Sequence, residues 1–424
     1  MRLFRSLTRK AILSVNEPDS HSTLAAFSVS NFRRFVTGQS VSLIGSWTET
    51  VAQALLVLQL TNSAKAVGFV TAVRYLPVLL LTPYAGLVVD RSNKRHVLIA
   101  TASSLAILSF LQGGLVLSGA INIWWIYALA LCFGILSALD NPARQAFIPE
   151  MVGQGLIHSA VTLNSTFVNV GRAIGPAVAA VLIATIGIGW CFLVNAASFA
   201  AVLYALLTMK VADLHPASRV RAARNQLVRG FRYAVRNPNI IGPIAMMALI
   251  GTFTYEFEVS LPLFARVSLD GSDSTYSWLI GAFGIGSVLG GLYCMWKPET
   301  GISRLLRAAL LYAAAMAAGA LAPSLQIAVP IFVVVGMASI VFITTGNSTI
   351  QLASSPEYRG RVTALWSTAF LGSTPIGAAI IGFVDAVSPR LALGAGAAAC
   401  LVAVVVGAYF AKLRTAQQKS CSLT

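Results

Sequence analysis

The chain has 424 residues, of which 57% are hydrophobic and 10% charged, and its mean hydropathy index is +0.77. An average soluble domain carries about 25% charged residues, so this composition excludes an ordinary soluble enzyme and points to a membrane protein. The net charge of +16 would suit nucleic acid, but the cations are spread as a topology signal and not as one patch.

Residues 1–35 are basic, with no continuous apolar region and no small-residue cleavage site, which predicts a cytoplasmic tail and no cleaved leader. Apolar stretches near the ~20 residues that cross a bilayer then recur along the chain. Twelve spans are predicted, at about 36–60, 66–89, 97–118, 122–140, 160–185, 189–209, 240–265, 276–296, 305–322, 326–351, 362–384 and 390–411. With a cytoplasmic N-terminus, 25 of the 30 lysines and arginines fall on the cytoplasmic side. Lys65, Arg266 and Arg390 fall outside, and Arg74 and Arg172 lie within spans. This is the positive-inside asymmetry, and it predicts cytoplasmic termini at a bacterial inner membrane. The basic segment 210–239 separates two six-helix halves, 36–209 and 240–411, and 412–424 forms a cytoplasmic tail. Two such halves can rock about a site at the membrane midplane.

Span one contains SLIGSWTETVAQALLVL (Ser42–Leu58), with Glu49 amid apolar residues. A carboxylate at a helix centre in lipid costs ~2.5–3.5 kcal/mol or more, so its default reading is functional. Gln39, Ser42, Ser46, Glu49 and Gln53 recur at helical spacing, a single stripe that must avoid lipid and is expected to line the central cavity. Glu49 lies ~16 Å beyond Gly38 at 1.5 Å per residue, roughly half of a ~30 Å core. Arg74 in span two and Arg172 in span five fall at similar depth and are its candidate counter-ions. Span seven adds Glu256 and Glu258, ~200° apart at ~100° per residue, so that Glu256 with Thr252 is the expected cavity stripe. These charges admit three readings: proton coupling, recognition of a charged substrate, or structural Glu–Arg pairs.

The loop after span two reads GLVVDRSNKRH (Gly86–His96). Asp90, at a helix end, can accept hydrogen bonds from a helix N-terminus in the other half, while Arg91, Lys94 and Arg95 seek carboxylates. Contacts made in one conformation only would act as a latch; otherwise the loop only sets topology. At the end of span four, ALDNPARQAFIPEMVG, Asp140 and Arg144 share a helix face unless Pro142 breaks the turn. In span five, NVGRAIGPAVAA, glycines permit close helix contact and Pro176 removes one backbone bond. RGFRYAVRN in the linker predicts a short amphipathic helix on the membrane surface with Phe231 and Tyr233 at headgroup depth, or a solvated connector. GAFGIGSVLGG in span eight lacks the Lys-Ser/Thr of a P-loop, so no nucleotide or other cofactor is expected and active transport must draw on an ion gradient. The five cysteines have no ligand spacing, so no metal site is expected, and the four scattered histidines pair with no nucleophile, which argues against an enzyme.

The Gly86, Asp90, Arg91, Lys94 and Arg95 pattern resembles the cytoplasmic signature of the major facilitator superfamily, with Asn93 in place of a glycine. Asn tolerates the left-handed backbone that such a tight turn would need. Gly171-x-x-x-Gly175-Pro176 resembles the superfamily's antiporter motif, with Ala179 and Ala180 replacing its last glycines. NFRRFVTGQSVSLIGSW, RYLPVLL, NPARQAFIPE and PEYRGRVTALW are similar to the branch that contains the enterobactin exporter, over nearly the whole chain. The resemblance implies an all-α bundle of twelve helices, an Asp140 paired with a cation of the loop after span two, and export by exchange. The expected function is proton-coupled export of small amphipathic molecules by a monomer in the lipid bilayer, with no nucleic-acid partner. An uptake symporter or facilitator, and a non-transporting membrane assembly factor, stand as the alternatives.

Overall fold

Lipid offers the backbone no hydrogen-bond partners, so each apolar stretch must close its own N–H and C=O groups within a helix. The computed structural model describes residues 25–215, 226–297, 299–355 and 358–421, and among these it contains no strand. The predicted tail as far as residue 24, the linker residues 216–225, Pro356 and Glu357 of the PEYRGRV motif, and residues 422–424 lie outside the described residues.

Spans one to six are α1 (Ser30–Thr61), α2 (Ala64–Arg91), α3 (Lys94–Leu117), α4 (Ile123–Val152), α5 (Ile157–Thr185) and α6 (Ile188–Leu207). The linker helix is α7 (Gln226–Arg236). Span seven is broken into α8 (Pro238–Thr254) and α9 (Phe257–Leu263), and continues as a π-turn over Phe264–Ser268. Spans eight to ten are α10 (Asp273–Trp296), α11 (Ile302–Leu321) and α12 (Leu325–Ala353). Span eleven is α13 (Arg359–Leu371) with α14 (Thr374–Asp385), and span twelve is α15 (Pro389–Cys421). Twelve of these stretches are long and apolar enough to cross a membrane.

Local chemistry sets several ends. Asn122 accepts from the N–H groups of Trp124 and Trp125 at 3.1 Å and starts α4. Asn93 was expected to supply a left-handed turn but sits at φ −73°, where its side chain accepts from His96 N and caps α3. Pro142 does not break α4, so NPARQAFIPE is helical and not a loop, carrying span four well past residue 140. Tyr233 is not free for the headgroup region: its ring stacks on Tyr358 at 4.2 Å, and its hydroxyl accepts from Ser355 N at 3.0 Å. Phe231 is exposed.

Two apolar clusters hold spans one to six, one around Phe32, Phe147 and Met151 and one around Leu56, Ile126 and Phe192. A larger cluster around Met246, Tyr276, Tyr312 and Phe332 holds the remaining spans. At the end of the bundle away from the chain termini the halves are in contact. Gly68 lies against Ala378 O and the Gly382 Cα, Lys65 stands over the Phe383 ring at 5.2 Å, and Arg266 donates to Asn62 Oδ1 at 3.3 Å. At the terminal end the space around Gly86 is open: a Cβ there would meet nothing within 4 Å.

Candidate functional site

The polar stripe of span one has the predicted period but not the predicted face. Gln39, Ser42, Glu49 and Gln53 are buried, and Ser46 is half-buried. As far as Glu49 the stripe turns toward spans three and six of its own half instead of the central cavity, and only Gln53, bonded to span three, also borders that cavity. Gly38 and Gly45 let the backbones close up there, with ideal Cβ positions 2.5 Å from Ala201 O and 2.4 Å from Ser198 Oγ. Glu49 Oε2 accepts from Ser109 Oγ and from Asn195 Nδ2, each at 2.6 Å. Gln112 Nε2 donates to Gln53 Oε1 at 2.6 Å, and Ser46 Oγ reaches Asn195 Oδ1 at 3.5 Å. Neutral hydrogen-bond donors therefore replace the expected arginine partners of Glu49. A bundle offers a polar stripe two refuges from lipid, the shared cavity or the interior of one half, and spacing does not distinguish them.

The central cavity begins about one residue further round span one. Thr50, Gln53, Ala54 and Val57 line a small pocket there, facing Thr71 and Arg74 of span two and Glu258 of span seven. Glu258, and not Glu256, is the cavity carboxylate. Tyr255 and Glu256 leave helical geometry, so the arc expected for a continuous span seven does not apply. Pro262 reinforces the irregularity, because its missing N–H removes the partner of the Glu258 carbonyl. The Glu256 side chain instead faces span eleven, where an ideal Cβ at Gly377 would stand 2.9 Å from Glu256 Oε1 and 2.0 Å from the Thr252 backbone carbonyl, while Thr252 Oγ1 donates to Ala248 O. Sequence reasoning missed the break, although Pro262 beside two carboxylates signalled it.

Arg74 stacks on Phe133 at 4.2 Å, and Arg172 stacks on Trp47 at 4.9 Å with its Nε buried and unpartnered. Both guanidiniums act electrostatically on Glu258, and Tyr75 lies within the same field. Among the described residues none of these groups closes an ion pair within 4 Å. Gly171 and Gly175 bring span five onto span one: ideal Cβ positions would lie 3.0 Å from Leu43 Cβ and 2.4 Å from Trp47 Cβ. Thr48 Oγ1 donates to Gly175 O at 3.0 Å. Pro176 lies within α5 and frees the Arg172 carbonyl, one turn earlier.

At the terminal end, Asp140 accepts from Thr101 Oγ1 at 2.7 Å and pairs with Arg144, not with a cation of the loop after span two. Continuation of α4 through Pro142 keeps Asp140 and Arg144 on one face. Lys94 pairs with Glu150 at 2.8 Å, a carboxylate that lies outside the loop motif. Arg95 donates to the Leu206 and Leu207 carbonyls, closing the C-terminal end of span six. Asp90 and Arg91 are exposed.

Twelve helices long and apolar enough to cross a membrane, a broken span seven and charges gathered where the halves meet are the layout of a membrane transporter. The transmembrane secretion effector family model matches residues 21–423, and the chain belongs to that family of the major facilitator superfamily. It is 25% identical to the multidrug efflux pump Tap of Mycolicibacterium fortuitum, covering 87% of this chain and 93% of the pump. It is likewise 25% identical to the enterobactin exporter EntS of Escherichia coli O1:K1 / APEC, over 87% and 88% of the two chains. The staphyloferrin A transporter of Staphylococcus aureus (strain NCTC 8325 / PS 47) is 33% identical over 41% of this chain and 44% of its own. Among solved structures, a bacterial homologue of the human lysosomal transporter Spinster superposes with a TM-score of 0.71 at 16% identity, over 90% of this chain and 96% of that one. The likeness to that structure is one of fold. The chain is thus a multi-pass membrane transporter of the efflux type.

Proposed function

We propose that this protein exports small amphipathic molecules, siderophore-like or drug-like, by proton antiport across a bacterial inner membrane. Both termini lie in the cytoplasm, as the distribution of basic residues favours. It works as a monomer by alternating access, with protons, substrate and lipid as its partners and no bound cofactor. The observation that carries this reading is Glu258 facing Arg74 across the cavity, with Arg172 in electrostatic range and no ion pair closed. A carboxylate so placed can be balanced by guanidinium or neutralised by a proton, and substrate entering the cavity changes which state is favoured. The names of the two long-matching relatives support export over uptake.

In this orientation the joined end faces outward and the open end faces the cytoplasm. Release of Asp90 and Arg91 into solvent agrees with a latch that closes only in the opposite state. The test is accumulation of enterobactin or ethidium by cells with and without the protein. Cells carrying it should accumulate less, and an uncoupler should remove the difference. Greater accumulation that follows the proton gradient inward would replace this reading with a symporter.

A further inference from the structure

We propose that Asp385, with the Ser260 hydroxyl beside it, is a second proton-binding site that exchanges protons with the outer face. This rests on the reading of the protein as a proton antiporter.

Asp385 ends α14 at the outer end of span eleven, is 1% exposed, and has no hydrogen-bond partner on either carboxylate oxygen. Its polar neighbour is the Ser260 hydroxyl of α9, also buried. Ser260 stands one turn beyond Glu256, with its backbone N–H donating to Glu256 O at 3.0 Å. Glu256 is 4% exposed with Oε1 unpartnered, against Gly377 of α14. Gly377 and Asp385 are eight residues apart, ~12 Å along the helix, so two buried acids share the seam of α9 and α14, with the Ser260 hydroxyl beside Asp385.

Among the described residues neither acid has a cation to balance it. From span two, Lys65 lies over the Phe383 ring. From the π-turn, Arg266 donates to Asn62 Oδ1, and from span twelve, Arg390 donates to the Ala320 and Ser268 carbonyls. Helix α8 carries no titratable side chain, and α9 contributes only Glu256 at its cap and Glu258 on the cavity side. The C-terminal end of α14 also carries the negative pole of the helix, which opposes a carboxylate there. A buried acid without a partner is retained in its neutral form, and that form holds a proton.

Asp385 is occluded because Gly68 and Gly382 bring spans two and eleven together. When those ends part, the carboxylate meets the outer solution and takes a proton. On closure Asp385 carries that proton into the seam, with its O–H turned to Ser260 Oγ. One proton moves, and every oxygen keeps its valence.

The test uses the full-length protein reconstituted in liposomes, with two readouts. Infrared titration of the outer face should show a protonated carboxyl band that is lost in Asp385→Asn, shifted in Asp385→Glu and perturbed in Ser260→Ala. Ethidium movement driven by a pH gradient should fall at least tenfold in Asp385→Asn, while ethidium exchange without a gradient stays within about twofold of wild type. Asp385→Glu should retain driven transport with an altered pH midpoint, which separates proton binding from a folding defect. A band unchanged in Asp385→Asn, or driven transport at the wild-type rate, overturns the proposal. Wild-type protein that moves no ethidium under a gradient counts against the antiport reading, whereas the infrared titration still decides whether Asp385 binds the proton.

Discussion

Glu258 and Glu49 sit at comparable depths in an apolar bundle, yet their surroundings give them different work. Glu49 is held by Ser109 and Asn195 within the first half, so its polar demands are met by neutral groups that do not depend on which way the transporter faces. Glu258 borders the cavity beside Arg74. Replacing Glu49 by Gln exchanges one strong acceptor for a weaker one, a loss of about 1–2 kcal/mol in stability. Glu49→Gln should therefore lower membrane abundance modestly and leave pH-driven efflux per molecule within about threefold of wild type, as everted-vesicle assays normalised to protein can show. Loss of driven efflux at full abundance would return Glu49 to the proton pathway. Arg74→Gln should weaken driven efflux at least tenfold, because it removes both the charge facing Glu258 and the stacking on Phe133. Vesicle flux at matched abundance measures it, and a wild-type rate would remove Arg74 from the exchange.

At the scale of helices, two glycines make opposite predictions. Gly175 is in contact with Trp47 in span one, so Gly175→Leu has nowhere to place its side chain and should cut membrane abundance several-fold. Gly86 faces open space at the terminal end, so Gly86→Leu should insert at wild-type abundance. If that end closes during transport, the same Leu should block closure and slow efflux about tenfold; unchanged turnover would mean that Gly86 is never approached. Asp90→Asn should likewise insert normally and slow efflux severely, since Asp90 is exposed in this state and has contacts to gain only in the other. Normal turnover at equal abundance would deny it a gating role. These helices were legible in the sequence because hydropathy and the twelve-fold recurrence of apolar stretches are local properties. The break in span seven was not, because Tyr255 and Glu256 leave helical geometry in a tertiary setting that no local period records. The face of span one was missed for a related reason: Asn195 and Ser109, which draw Glu49 inward, lie on spans six and three and form no motif with it.

For the whole molecule, the contacts are unequally divided between the two ends. Small residues bring spans two and eleven together at one end, while Lys94–Glu150 and Asp140–Arg144 stay within the first half at the other. Such an arrangement permits the halves to part at the terminal end without breaking an ion pair between them. The central claim is that Glu258 converts this movement into exchange of a proton for substrate. Its most direct test is transport by purified wild type and Glu258→Gln in liposomes, with ethidium as the probe and an imposed pH gradient. The wild type should drive ethidium against its own gradient as protons run the other way. Glu258→Gln should do so at least tenfold more slowly, while exchanging ethidium at near the wild-type rate when no gradient is present. Driven transport by Glu258→Gln at the wild-type rate, or ethidium moving in the same direction as the protons, would contradict the account.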